Sequence, residues 1–163
     1  MKLFREALAW AVFSTVVGLL SVWPRYNLVD EGSAIITVTF AHAAQRVGEC
    51  RILTQEELNK LPPNMRKPSE CPRERHVVRI ELQSGDDVLY EDVLMPSGIW
   101  GDGKANIYQR VVVPAGEHQI FVGMNDSGGE SGFDYETRRS MNIASGRNVV
   151  IRFDPETQQF LVR

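Results

Sequence analysis

Three sets of residues have types and spacings that could do chemistry: Cys50 and Cys71; His42, His76 and His118; and the string GIWGDGKA from Gly98 to Ala105. The chain has only two cysteines, and they bracket a polar, proline-rich excursion, ECRILTQEELNKLPPNMRKPSEC, between two stretches of β-type alternation. They do not form a C-x-x-C arrangement, and nothing beside either marks a thiol of lowered pKa, which argues against a redox-active pair. In an oxidising compartment they would form a structural disulfide, closing a loop for which chain entropy gives roughly 3 kcal/mol.

GIWGDGKA spells the G-x-x-x-x-G-K of a phosphate loop, but Ala105 stands where a magnesium-holding Ser or Thr belongs, and strand-type residues follow instead of a helix. The run NDSGGESGFDYE (125–136) offers Asp126, Glu130, Asp134 and Glu136 at no calcium-loop spacing. It reads as a solvated loop, with Phe133 and Tyr135 folding back onto the core. A copper centre needs a thiolate, two histidines and a weak axial ligand at one place. Here the thiols are consumed by each other, and Met65, Met95, Met124 and Met141 are scattered. The three histidines share no short-range pattern, so each reads as a partly exposed strand residue. There is no G-x-S-x-G elbow, and the paired carboxylates Asp86-Asp87 and Glu91-Asp92 fall in a turn and a strand edge. The expectation is a protein that is not an enzyme and carries no metal or cofactor.

The elements that must position these residues begin with a membrane anchor. Residues 7–23 carry no charge and are almost wholly apolar, a length that spans a bilayer at about 1.5 Å per residue. Lys2 and Arg5 precede this run, while Arg25, Asp30 and Glu31 follow it. The positive-inside rule therefore places residues 1–6 in the cytoplasm and everything after the anchor outside it. Trp10, Trp23 and Tyr26 suit interfacial positions, and Ser14 with Gly18 gives a small-x-x-x-small patch for packing on another membrane helix. A cleaved signal peptide is the competing reading, but SVWPRYN lacks the small residues that cleavage needs. The expected address is a bacterial inner membrane, single-pass, with residues 24–32 as linker and 33–163 as a periplasmic domain.

That domain alternates with period two. Ala34, Ile36, Val38 and Phe40 share one strand face, and Val78, Ile80 and Leu82 share another. Further strands are expected over 88–94, 107–113, 118–124, 137–143, 148–153 and 159–162. SGDD (84–87), PAGE (114–117) and ASGR (144–147) each supply a glycine where a tight hairpin needs positive φ. This pattern predicts a mainly β fold, an antiparallel sandwich of immunoglobulin-like or transthyretin-like type. The stretch VVVPAGEHQIFV resembles the strand–turn–strand hairpins common in extracytoplasmic domains of that kind.

One short helix interrupts the pattern inside the insertion loop 49–75. Thr54 with Glu57 forms a capping box, and Pro62-Pro63 ends the helix at Leu61. Two turns are marginal alone, so packing or the disulfide must hold them. The bridge has two readings: it ties down a long crossover, or it preorganises a knob for docking. For docking, Leu61 and Met65 offer apolar contact, Arg66, Lys67, Arg73 and Arg75 offer charge, and Trp100 offers an aromatic anchor or else caps the sandwich. Net charge is −3 with both signs mixed, which argues against nucleic acid. The expected role is an accessory or assembly subunit of a larger integral membrane complex, a respiratory one for instance, acting by protein–protein binding. The alternative is a membrane-tethered ligand or metal carrier resembling copper carriers.

Overall fold

The computed structural model describes residues 1–23 and 29–163. Arg25 and Tyr26, and with them the first part of the expected linker, lie outside the described residues. Helix α1 runs Lys2–Val22 and closes with the Trp23 amide donating to the Leu19 carbonyl at 2.9 Å. All its residues are exposed, and a mean hydropathy of 1.6 makes it long and apolar enough to cross a membrane or to serve as a signal anchor. Thr15 returns its hydroxyl to the Ala11 carbonyl at 2.8 Å, so this polar group is satisfied within the helix.

The rest is mainly β. In chain order come β1 (Ser33–His42), β2 (Arg51–Ile52), α2 (Gln55–Lys60), β3 (Ser69–Glu70), β4 (Val78–Ser84), β5 (Asp87–Leu94), β6 (Ala105–Pro114), β7 (Gly116–Asn125), β8 (Tyr135–Ile143), β9 (Asn148–Asp154) and β10 (Gln159–Val162). Two four-stranded sheets, ordered β10-β9-β1-β6 and β5-β4-β7-β8, enclose one core, and β2 and β3 form a separate ribbon. Side chains of a strand point alternately to its two faces, so Ile36 and Val38 of β1 meet Ile80 and Leu82 of β4 and Ile120 and Val122 of β7 in that core. Burying each such side chain contributes about 1.5–3 kcal/mol. Phe40, Phe153 and Phe160 fill one region edge-on, with ring centroids 5.2 to 6.4 Å apart.

The topology departs from the expected antiparallel sandwich in two ways. β1 pairs antiparallel with β6 but parallel with β9, Ile36 opposite Val149 and Val38 opposite Ile151, so one sheet is mixed. The cause is where the chain arrives: ASGR delivers it to the start of β1, with the Ile35 amide donating to the Arg147 carbonyl at 2.8 Å, and β9 must then run alongside. Second, PAGE and ASGR do not close hairpins, because β6 and β7, like β8 and β9, lie in opposite sheets. Gly116 (φ 142°) and Gly146 (φ 74°) do adopt positive φ, but they carry the chain across the core. VVVPAGEHQIFV is therefore an arch. Among the three turns, SGDD alone closes a hairpin, between β4 and β5.

Connections at the two ends are unequal. Near the start of β1 they are short: residues 85–86, Ala115 and residues 144–147. At the far end lie residues 43–77, 95–104, 126–134 and 155–158. At about 3.3 Å per residue β1 separates the two ends by roughly 30 Å. The long connections thus stand away from the point where the chain arrives from α1.

Candidate functional site

The largest of the far-end connections is a knob closed by the Cys50–Cys71 disulfide, whose Cα atoms are 4.1 Å apart. The bridge sits one residue outside the β2–β3 ribbon, where Arg51 pairs with Glu70 and Ile52 with Ser69. Two-residue strands are too short for alternation to reveal. The cysteines were their signal, since a bridge of this kind brings two backbones side by side. Helix α2 has the expected capping box complete: the Glu57 amide donates to Thr54 Oγ1 and the Thr54 amide to Glu57 Oε2, at 3.4 and 2.9 Å. Its C-cap is Leu61, where the proline pair was expected to stop it, and a 3₁₀ turn at Pro63–Met65 follows.

Arg51 joins the helix to the ribbon, its Nη1 2.6 Å from Glu57 Oε1 and its Nη2 3.1 Å from Glu70 Oε2. The bond from Arg51, then those from the Thr54 amide and hydroxyl, pull the Glu57 carboxyl down to about 2. The Arg51 guanidinium is raised in turn by its bonds to Glu57, foremost, and to Glu70. A carboxyl lowered by folding adds stability above its unfolded pKa and loses it as pH falls through the folded one. Glu57's contribution to the order of α2 is therefore expected to be full above about pH 4.5 and to be lost progressively toward pH 2. Amide exchange at Leu58, bonded to the Thr54 carbonyl, reads this directly. Unchanged protection at pH 2 would show that the helix does not depend on Glu57.

Two open clefts flank the ribbon. One, of about 460 Å³, is lined by Leu53, Leu61 and Met65 with Lys60, Lys67 and Ser69 around them. The other, of about 560 Å³, is lined by Arg46, Lys67, Arg73 and Asp102. Lys67, Ser69 and Cys71 belong to both. The structure thus brings together Leu61, Met65, Lys67 and Arg73, and it adds Lys60 and Arg46, which sequence reasoning had passed over. Arg66 is exposed, but its Nε donates to the Leu61 carbonyl at 3.0 Å and so shapes the loop. Arg75 is half-buried and engaged within the chain. Its amide and Nε reach the carbonyls of Gly101 and Asp102, both at 3.0 Å, and its Nη1 the Ala44 carbonyl at 2.6 Å, riveting the base of the knob to the 95–104 connection.

That connection presents Trp100. The Gly103 amide donates to the Ser97 carbonyl at 2.8 Å, and a Cβ at Gly103 would stand 2.7 Å from that oxygen, so the close approach requires glycine. On the loop this builds, Ile99 is 97% and Trp100 68% exposed, and Trp100 does not cap the sandwich.

His42 is also not the partly exposed residue expected. It is buried, its Nε2 lies 2.6 Å from Asp126 Oδ2, and Phe153 stands edge-on to its ring at 4.9 Å. Asp126 is buried with it and accepts from Gln45 Nε2 at 3.1 Å; the other ring nitrogen, Nδ1, has no partner among the described residues. Asp134 braces the loop by accepting from the amides of Asp126 and Ser127. Burial opposes its ionisation, but those amides and the Ser127 hydroxyl outweigh burial and hold it below the usual range. Tyr135 packs on the core as expected, but Phe133 lies on the outer face, over Gly123 and against Phe121 at 5.4 Å. His118 bonds Ser84 Oγ and the Pro114 carbonyl, each at 2.8 Å.

Among the described residues no three His, Cys, Asp or Glu side chains converge as a group that could hold a metal ion. Ser14 and Gly18 lie one above the other on α1, with open space over Gly18. The chain matches no protein-family model, and no curated protein matches it in sequence.

Proposed function

We propose that this protein is a non-enzymatic binding subunit, tethered by α1 in a bacterial inner membrane with its β domain in the periplasm, and that it serves a larger membrane-protein complex as an accessory or assembly factor. One observation carries the reading. The connections near the tether are tight turns, whereas every long connection, including the stapled knob and the loop bearing Trp100, gathers at the opposite end. Loops held on a rigid scaffold are where binding residues concentrate. A disulfide as the single covalent clasp of that end suits an oxidising compartment. The two-sheet core is the kind of scaffold that immunoglobulin-like and transthyretin-like domains use, and Ser14 and Gly18 give α1 a face on which a partner's helix can pack.

The test is site-specific photo-cross-linking of the full-length protein in native membranes from Met65, Trp100 and, as control, Asp86 on the β4–β5 turn. One discrete adduct with the same protein is expected from Met65 and Trp100, and none from Asp86. Absence of adducts at all three positions, with stoichiometric copper or zinc on the purified protein, would overturn docking in favour of a metal carrier.

A further inference from the structure

We propose that the knob receives an acidic, amphipathic segment of its partner, which deepens the docking reading and rests on it. The two clefts share Lys67, Ser69 and Cys71 in their walls. Between them they give the knob an apolar cleft and a basic cleft, a grooved surface too open for a small molecule to lose most of its water. Leu53, Leu61 and Met65 line the apolar cleft, and Met65 is 60% exposed although it has neighbours of its own kind. An exposed apolar floor with a charged rim is the surface that an amphipathic segment covers.

Charge decides the sign of the segment. The protein as a whole is acidic, with a net charge of −3, yet the groove runs the other way. Its own carboxylates are engaged: Glu57 and Glu70 both pair with Arg51, and Asp102 lies 4.0 Å from Arg73 Nε. Lys60, Lys67 and Arg46 have no carboxylate partner among the described residues. Arg46 is instead aimed by its bond to the Pro72 carbonyl at 2.6 Å. Arg46 and Arg73 line one cleft, Arg73 beside Asp102 and Arg46 with part of its guanidinium left over for a carboxylate, and Lys67 lines both clefts. The groove is also set in advance by the disulfide, the capping box and the Arg51 pairs, so little ordering is left for the partner to drive. Anionic lipid headgroups would satisfy the same cations. The length of β1, roughly 30 Å between the point of arrival from α1 and the knob, favours a protein segment.

The test uses the full-length protein in zwitterionic nanodiscs, with three probes: a synthetic peptide alternating leucine and glutamate, the same peptide with lysine for glutamate, and vesicles of phosphatidylglycerol. The glutamate peptide is expected to bind, to weaken as salt is raised, and to bind about tenfold more weakly to Lys67→Glu/Arg73→Glu, a change of roughly 1.4 kcal/mol. The lysine peptide should not bind. Both substituted residues are exposed, and thiol labelling shows whether the disulfide has formed in the variant. Equal binding of the two peptides overturns the proposal, and so does binding to the vesicles in place of the glutamate peptide, which would assign the groove to lipid. If the Lys67→Glu/Arg73→Glu variant still cross-links from Met65 to the same protein, the acidic-segment proposal fails while docking stands. If no position cross-links in either protein, docking itself fails.

Discussion

Replacing both cysteines with serine, Cys50→Ser/Cys71→Ser, is expected to release the knob at a cost of about 3 kcal/mol while the two-sheet core stays folded. The knob has little else to hold it. Helix α2 buries no residue, the ribbon has two residues on each side, and Arg51, Glu57 and Glu70 are exposed enough that water screens their attraction. A helix of this length does not persist without tertiary support. None of the core residues lies between Cys50 and Cys71, so the loss is local. Hydrogen exchange separates the outcomes: the amides of Leu53 and Leu58, bonded to the carbonyls of Pro68 and Thr54, should lose protection while those of Ile80 and Val122 keep it. Equal protection of Leu58 in the variant would mean that the ribbon and helix hold themselves. Unfolding of the core at the same time would mean that the knob is part of the cooperative unit. Cross-linking from Met65 should fall with the loss of order, whereas that from Trp100, built by its own glycine turn and by Arg75, should survive in part.

What could be read in the sequence was local. The capping box of Thr54 and Glu57 needs four consecutive residues, and the structure has it complete. The cysteine pair needed no choice of partner, and the inward faces of β1 and β4 follow from period two. What could not be read depends on where distant segments meet. His42 lies on an alternating strand and looks like any edge residue; its burial is decided by Asp126, eighty-four positions along the chain, and by Phe153 of β9. The glycines of PAGE and ASGR report that the chain reverses, but not whether it returns in the same sheet or the other one. The parallel pairing of β1 with β9 follows from that undetermined step. The groove is intermediate: Lys67 and Met65 were legible as composition, while Arg46 joins them because the chain brings it back beside Pro72.

Asp126→Ala is expected to destabilise the whole domain by about 2 kcal/mol, the penalty for leaving buried hydrogen-bonding groups without their partner. The side chains of His42 and Asp126 are 10% and 3% exposed, so water does not replace the lost acceptor. The substitution strands His42 Nε2 and deprives Gln45 Nε2 of its acceptor at 3.1 Å. With Nδ1 already unpartnered, the ring would have no hydrogen bond at all among the described residues. Asp126→Asn keeps an acceptor oxygen and should lose clearly less, which separates hydrogen bonding from mere volume. A double-mutant cycle with His42→Ala isolates the pair: the double variant should be hardly less stable than Asp126→Ala alone. Urea unfolding of the full-length protein in detergent measures all three, and a loss below about 1 kcal/mol for Asp126→Ala would show that the site relaxes around the gap. The position of the pair gives the result a functional side. The Asp126 carbonyl accepts from the Gln45 amide at 3.1 Å and its amide is held by Asp134, so Asp126 ties the first residues of the 43–77 connection to the loop after β7. The base of the knob is thus fixed to the sandwich at Asp126 and at Arg75, and loosening the first should reduce cross-linking from Met65 at temperatures where the core is still folded.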